Sequence, residues 1–453
     1  MAEIREIGSR WELFLDRWLI AKIEGDARLE LHPPERREVV LTTDKAWEGN
    51  DSAYYCIVND NGKIRIFYRG YTPGECTPGT LTCMVESHDG IHFTRPTLGL
   101  YDFEGSKENN VVWQGYEAHC LAIFLDTKPD APADARYKAL GITGKMELNG
   151  LYALQSPDGI HWKRISERPV LSKGAFDSLN VAFWDSHAGL YRAYVRYYTE
   201  DHIKQFQGIR CIQGNTSPDF LNWSDPQPNL YEDGIPLEQF YTSSTTPCPG
   251  AEHILLAFPK RFIPERKKNP EHKEAGISDG VLMSSRDGVH WDRTFLEAWL
   301  RPGTDQKNWT DRNNMIAWGI AATGENEFSL YASEHYRWPD NRLRRLVIGR
   351  HRFASVHAGA SGGVMTTHPF TFNGAKLVIN ASTSAAGSIS CSLLDEDGGT
   401  IPGLSNEGTE AWFGDEFNAV FRWKSDDLSK LRGKAARLRV ELADADLFAI
   451  RFV

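Results

Sequence analysis

Apolar and polar residues alternate in short runs along most of the chain, as in Lys63-Ile-Arg-Ile-Phe-Tyr-Arg and Gly189-Leu-Tyr-Arg-Ala-Tyr-Val-Arg, and the runs are separated by clusters of Gly, Asn, Asp and Pro. A period of two predicts half-buried β-strands, and no segment carries a convincing helical period. Many short strands with regular turns imply a sandwich, a barrel or a propeller.

A recurring turn motif decides among these. It reads Ser87-His-Asp89-Gly90-Ile-His-Phe93, Ser156-Pro-Asp158-Gly159-Ile-His-Trp162, Ser217-Pro-Asp219-Phe-Leu-Asn-Trp223 and Ser285-Arg-Asp287-Gly288-Val-His-Trp291. The Ser positions are 69, 61 and 68 residues apart, a period long enough for about four strands per unit. Each copy sits between strand-like stretches and reads as a hairpin turn: Asp and Ser bond back to turn amides, Gly supplies a positive φ, and the aromatic folds onto the hairpin. The four Asp residues are therefore scaffold. The units run from about Asp51 to Pro96, Asn110 to Ile165, Asp177 to Pro226 and Tyr241 to Thr294, with a fifth from Asp311 in which Leu330–Trp338 is a degenerate copy of the turn. Five blades are expected, with six as the alternative.

Residues 1–45 read as a lead-in strand (Trp11-Glu-Leu-Phe-Leu-Asp-Arg-Trp) and an extended arm through Pro33-Pro34, so the propeller is expected to span 1–350. From His351 the motif disappears, and alternating strands such as Ala375-Lys-Leu-Val-Ile-Asn and Ala436-Arg-Leu-Arg-Val-Glu-Leu predict a β-sandwich over 351–453. The fold class is all-β, a five-bladed β-propeller followed by a C-terminal β-sandwich.

Composition narrows the function. A net charge of −10 gives no electrostatic case for nucleic acid or an anionic membrane. The 14 Trp, 16 Tyr and 22 Phe suit both sheet packing and sugar stacking. Seven Cys without a Cys-x-x-Cys pair argue against a zinc ribbon or disulfide framework and fit a reducing compartment. With no apolar h-region near Met1 the expected location is cytoplasmic. No His/Cys cluster has metal-ligand spacing, so no catalytic metal or other cofactor is expected; an axial structural calcium in the channel is not readable from the sequence. The sequence leaves the oligomeric state open.

In a propeller the innermost strands line a central funnel, so catalytic groups come from the blade starts. The candidates are Glu48, Asn50 and Asp51 in blade one, Glu117 and His119 in blade two, Asp177 and Asn180 in blade three, Glu238 and Tyr241 in blade four, and Asp311, Arg312, Asn313 and Asn314 in blade five. Each could equally be a strand-entry residue bonding backbone amides. Glycosidic cleavage needs a carboxylic acid and a second carboxylate as nucleophile or base. Arg196, Lys260, Arg261 and Arg312 could bind a carboxylate or phosphate on the ligand, or pair with the funnel acids.

Five-bladed propellers with Ser-x-Asp-Gly-x-x-Trp hairpins and a C-terminal sandwich resemble glycoside hydrolases of families 32, 43, 68, 117 and 130. The chain most resembles uncharacterised bacterial family-32-like proteins sharing Gly174-Ala-Phe-Asp-Ser-Leu-Asn180 and Asp311-Arg-Asn-Asn-Met315. The resemblance implies a carbohydrate-metabolism hydrolase, a glycosidase acting on an oligosaccharide or glycoside. In it a blade-one carboxylate (Glu48 or Asp51) would be base or nucleophile, Asp177 the pKa modulator, Glu238 the acid and Asp311 a reserve. Family 32 opens its first blade with an Asn-Asp-Pro-Asn type motif, where this chain has Trp47-Glu-Gly-Asn-Asp-Ser, so fructan specificity is not implied. The competing readings are a glycan phosphorylase or transferase, a non-catalytic carbohydrate-binding propeller, and, more remotely, a polysaccharide lyase using Tyr241 and His119.

Overall fold

The computed structural model describes residues 3–74, 77–144, 149–200, 207–425, 428 and 431–453; Cys76 lies outside them. The chain is all-β with short 3-10 turns, and divides into two compact units, residues 35–347 and residues 1–34 together with 348–453. No helix among the described residues is long and apolar enough to cross a membrane.

Residues 35–347 form a five-bladed β-propeller of four-stranded sheets, whose blades begin with Ala53–Asp60, Ala122–Leu125, Val181–Asp185, Thr246–Cys248 and Ala321–Gly324. Blade four also carries the hairpin Lys260–Ile263 with Ile277–Gly280. The inner strands of blades one to three are mostly apolar and buried, as burial on both faces requires: Ala53 through Val58 are all buried. Val111–Gln114, expected to open blade two, is instead the outermost strand of blade one, pairing with Leu81–Ser87.

The repeated turn has the expected geometry. In the second copy Asp158 Oδ1 accepts from the backbone N–H groups of Ile160 and His161, both at 2.8 Å, and Ser156 Oγ accepts from Gly159 N at 2.9 Å. Each turn also docks on the preceding blade: Tyr331 donates to Gly90 O at 2.8 Å, Arg65 to Asp158 O at 2.5 Å and Tyr194 to Gly288 O at 2.9 Å. In the third copy Phe220 occupies the left-handed position, φ 71°, and its buried ring packs on Phe124 and Tyr191 of blades two and three.

Two expectations are corrected in blade five. The Leu330–Trp338 stretch is no copy of the turn: it covers the end of the second strand, Glu327–Glu334, and the loop that follows. The blade needs no such turn, because its fourth strand is Glu35–Thr42, which pairs with Arg342–Gly349 and closes the ring. Without that partner Arg342–Gly349 would be an open edge. The lead-in is thus divided at Pro34/Glu35, and the propeller unit does not include residues 1–34.

Those residues belong to the β-sandwich. Arg5–Gly8 pairs with Phe370–Phe372, Glu12–Leu13 with Ala436–Phe452, Ile20–Gly25 with Gly363–Thr367, and Arg28–Leu31 with Ala354–Ala358. They carry Ile7, Phe14, Leu19 and Ile20 into its core, which is why apolar positions precede the first blade. Two long strands, Leu377–Asp395 and Ala436–Phe452, pair along their length. Ala436, Leu438, Val440 and Leu442 point inward and the residues between them outward, the period of two read from the sequence.

Candidate active site

Antiparallel pairing brings the start of each inner strand and the end of the second strand to one mouth of the propeller. In blade one Ala53 pairs with Arg69, and a register shift follows between Ala53 and Cys56. Tyr54 lies in that shift with φ 58°, a conformation that a bulky residue adopts only when its surroundings impose it. Asn314 (φ 57°) and Ser244 (φ 45°) carry the same strain at the inner entrances of blades five and four.

These features put Tyr54 opposite Tyr241 of blade four, with their hydroxyls 2.9 Å apart. Each hydroxyl is also 3.4 Å from the main-chain carbonyl of Asp177 in blade three. Cations surround the pair. The Arg69 guanidinium lies 4.8 Å from the Tyr54 ring centre, Arg196 5.0 Å and Lys260 4.2 Å from that of Tyr241. Arg69 donates to Asp51 O at 2.7 Å and to Tyr336 Oη at 3.0 Å, and Arg312 donates to the same hydroxyl at 2.9 Å. His119 of blade two stands 3.5 Å from Arg69. All five blades therefore contribute to one connected floor.

The electrostatics follow from burial under positive charge. Burial lowers the Lys260 amine well below the usual lysine range, helped by Arg312, Arg210 and Arg196 and opposed by Asp311; its Nζ donates to Asp311 O at 2.6 Å. Burial alone would raise the Tyr241 phenol, but Arg312, Arg196, the hydrogen bond with Tyr54 and Arg69 together hold it below the usual tyrosine range. Tyr54 moves up, chiefly through burial and then through Tyr241. Burial, then Arg69 and Arg312, push the His119 imidazole down to about 3.

Of the carboxylates expected from the sequence, Asp177 is in this floor, ion-paired with Arg196 and with its side chain 51% exposed. Asp51 borders a cavity of about 450 Å³ shared with Asn50, His272, Glu274, Arg337 and Trp338, and lies 3.3 Å from Arg337. Asp311 is buried between His272 (2.9 Å) and Arg312 (3.6 Å).

The two glutamates lie elsewhere. Glu48 is fully buried in blade one, held by Arg95 at 2.9 Å and by the Tyr68 hydroxyl. Glu238 is clamped by Arg261 at 2.8 Å and Arg293 at 2.6 Å, with Arg261 also bound to Asp279. Both are engaged by arginines, Arg95 for Glu48 and Arg261 and Arg293 for Glu238, that are not among the floor residues above. Glu117 is likewise buried and paired with Arg164.

The asparagines serve the backbone. Asn180 donates to Phe176 O and Ser178 O, Asn313 to Lys307 O, Asn314 to Ser278 O and Asn308 O, and Asn50 to Arg337 O. The residues that sequence reasoning missed are Tyr54, Arg69 and Tyr336. Arg69 had a usable signal: it ends the alternating run Lys63–Arg69, and the end of a second strand returns to the funnel mouth.

No protein-family model matches the chain, and no curated protein matches it. Among solved structures it is similar to one titled a glycoside hydrolase, at 12% identity and TM-score 0.46, covering 71% of this chain and 94% of that one. It is also similar to an N-acetylgalactosamine deacetylase from F. plautii in complex with blood group B trisaccharide (13%, TM-score 0.45, 71% and 95% covered). A third is a structure from the GH130 family of mannoside phosphorylases, whose title describes glycoside hydrolases that target β-1,2 mannosidic linkages in Candida mannan (14%, TM-score 0.40, 70% and 94% covered).

Proposed function

We propose that the propeller funnel is the active site of a carbohydrate-active enzyme that cleaves a glycosidic bond. The observation that carries this reading is the convergence of Tyr54, His119, Asp177, Tyr241 and Arg312, one from each blade, on a single floor. Asp177 and Asp51 are the expected acids whose side chains remain open, 51% and 38% exposed. They come from blades one and three, and the reading has them flank the scissile bond. One protonates the leaving oxygen while the other activates water or attacks the anomeric carbon. Tyr54 and Tyr241, bonded to each other, back the Asp177 main chain from within the floor.

Asp177→Asn and Asp51→Asn should each lower turnover of a responsive aryl glycoside by about 10²–10⁴-fold while sugar binding survives in calorimetry. Turnover unchanged in both variants would sink the reading. Binding of glycans without turnover by the wild type would instead favour a carbohydrate-binding propeller.

Phosphorolysis is a second reading on the same floor. It is favoured by the cations around Tyr241, which suit an attacking phosphate. Product formation that depends on inorganic phosphate would select it over hydrolysis.

A further inference from the structure

We propose that the sugar taken by this funnel is acidic, its carboxylate lying against Arg312 and neutralising the cationic floor that Arg312 forms with Arg69 and Arg196. This deepens the carbohydrate reading of the site and rests on it.

The floor carries more positive than negative charge. Arg69, Arg196 and Arg312 stand against two carboxylates, Asp177 on Arg196 and Asp311 beside Arg312. Asp311 is further shared with His272, and Asp51 is engaged by Arg337. Lys260 and His119 are both driven toward their neutral forms by burial and by the arginines, among which Arg210 also acts on Lys260, so the cations of the floor outnumber its carboxylates.

Arg69 bears that excess most plainly. It is 3% exposed, and its partners are a carbonyl, a hydroxyl, an imidazole and an aromatic face. Among the described residues no carboxylate lies within ion-pair distance of it, and the Nε atoms of both Arg69 and Arg196 are buried without a hydrogen-bond partner. A buried cation without a counter-charge is unfavourable unless a ligand completes it. The lowered Tyr241 phenol expresses the same field, which favours an anion at this point.

Access singles out Arg312. Its side chain is 23% exposed against 2% for Arg196, so its fork can meet a carboxylate in the two-point geometry that guanidinium favours. A uronate carboxylate matches that fork and brings a negative charge to the floor in which Arg69 has, among the described residues, no carboxylate partner.

The test is calorimetric binding to the intact chain of disaccharides ending in glucuronate or galacturonate, of their neutral glucose and galactose counterparts, and, separately, of inorganic phosphate. At least one acidic sugar should bind tenfold or more tightly than its neutral counterpart, with an advantage that shrinks as salt is raised. Arg312→Gln should abolish the advantage and Arg312→Lys retain part of it, with thermal melts of both variants establishing that they fold. Neutral sugars binding as well as the acidic ones, or phosphate binding more tightly than any uronate, would overturn the proposal. Tight uronate binding without bond cleavage would leave it standing and defeat the catalytic reading, whereas selective cleavage of neutral glycosides would do the reverse.

Discussion

His119 is a buried imidazole kept neutral by its setting, and this has a consequence for stability. Its native pKa of about 3 lies far below the unfolded value, which is about 6.5. Between those values the unfolded chain takes up a proton that the native site refuses, so stability rises with pH through the window. The contribution is complete above about pH 6.5 and is lost as pH falls toward 3. Urea unfolding at pH 7 and pH 5 should cost the wild type about 2 kcal/mol more than His119→Gln. An equal loss in both would mean that the imidazole is charged in the fold. Much of this floor was legible: Asp177, Tyr241, Arg312 and His119 are polar residues where an inner strand begins. Glu48 satisfied the same rule and is buried behind Arg95, because a strand entry read from sequence does not reveal which way its side chain turns. Tyr54 was hidden for a related reason, since it reaches the funnel through a register shift that no alternation pattern records.

At the scale of the element, the recurring Ser-x-Asp turn holds each of blades one to four and joins it to the one before. A Cβ at Gly90 would come within 2.6 Å of Thr323 Cγ2 and 2.8 Å of the Tyr331 hydroxyl, and φ there is 73°. At Gly159 the nearest atom, Tyr137 Cε1, would be 3.1 Å away. Gly90→Ala should therefore destabilise by about 2 kcal/mol or more, Gly159→Ala by about 1. Phe220 presents the opposite case, because its ring fills the space between blades two and three at the cost of a strained backbone. Phe220→Gly relieves roughly 1–2 kcal/mol of strain but forfeits about 3–5 kcal/mol of core packing, so a net loss of about 1–4 kcal/mol is expected. A thermal or denaturant scan of the three variants checks the order, and a stabilised Phe220→Gly would contradict it. The four turns were readable because each is a local hydrogen-bonding device encoded within seven residues. Blade five escaped the pattern because its outer strand comes from the other end of the propeller sequence, which no local signal announces.

At the scale of the whole molecule, chain connectivity decides what can fold alone. The N-terminal segment serves two cores in succession: Ile7, Phe14, Leu19 and Ile20 enter the sandwich, while Leu41, pairing with Leu343, enters the propeller. Pro33-Pro34 sits where one role ends and the other begins, which gives the extended arm seen in the sequence a structural meaning. Pairings such as Leu41 with Leu343 span nearly the whole propeller, so ring closure waits on contacts that are costly to form early in folding. Arg345 reinforces the closing strand by binding Glu38 at 2.8 Å. A chain restricted to residues 35–347 keeps all five four-stranded blades, and it should unfold in one cooperative transition. A chain restricted to residues 43–347 lacks only the outer strand of blade five. It should still lose cooperativity or aggregate, because residues 342–347 are then an unpaired edge and Leu343 and its neighbours lose their cover. Calorimetry and size-exclusion chromatography of the two chains distinguish the outcomes: equal stability would mean that ring closure by Glu35–Thr42 adds nothing to the propeller, whereas failure of the longer chain would mean that the propeller depends on residues 1–34 or 348–453.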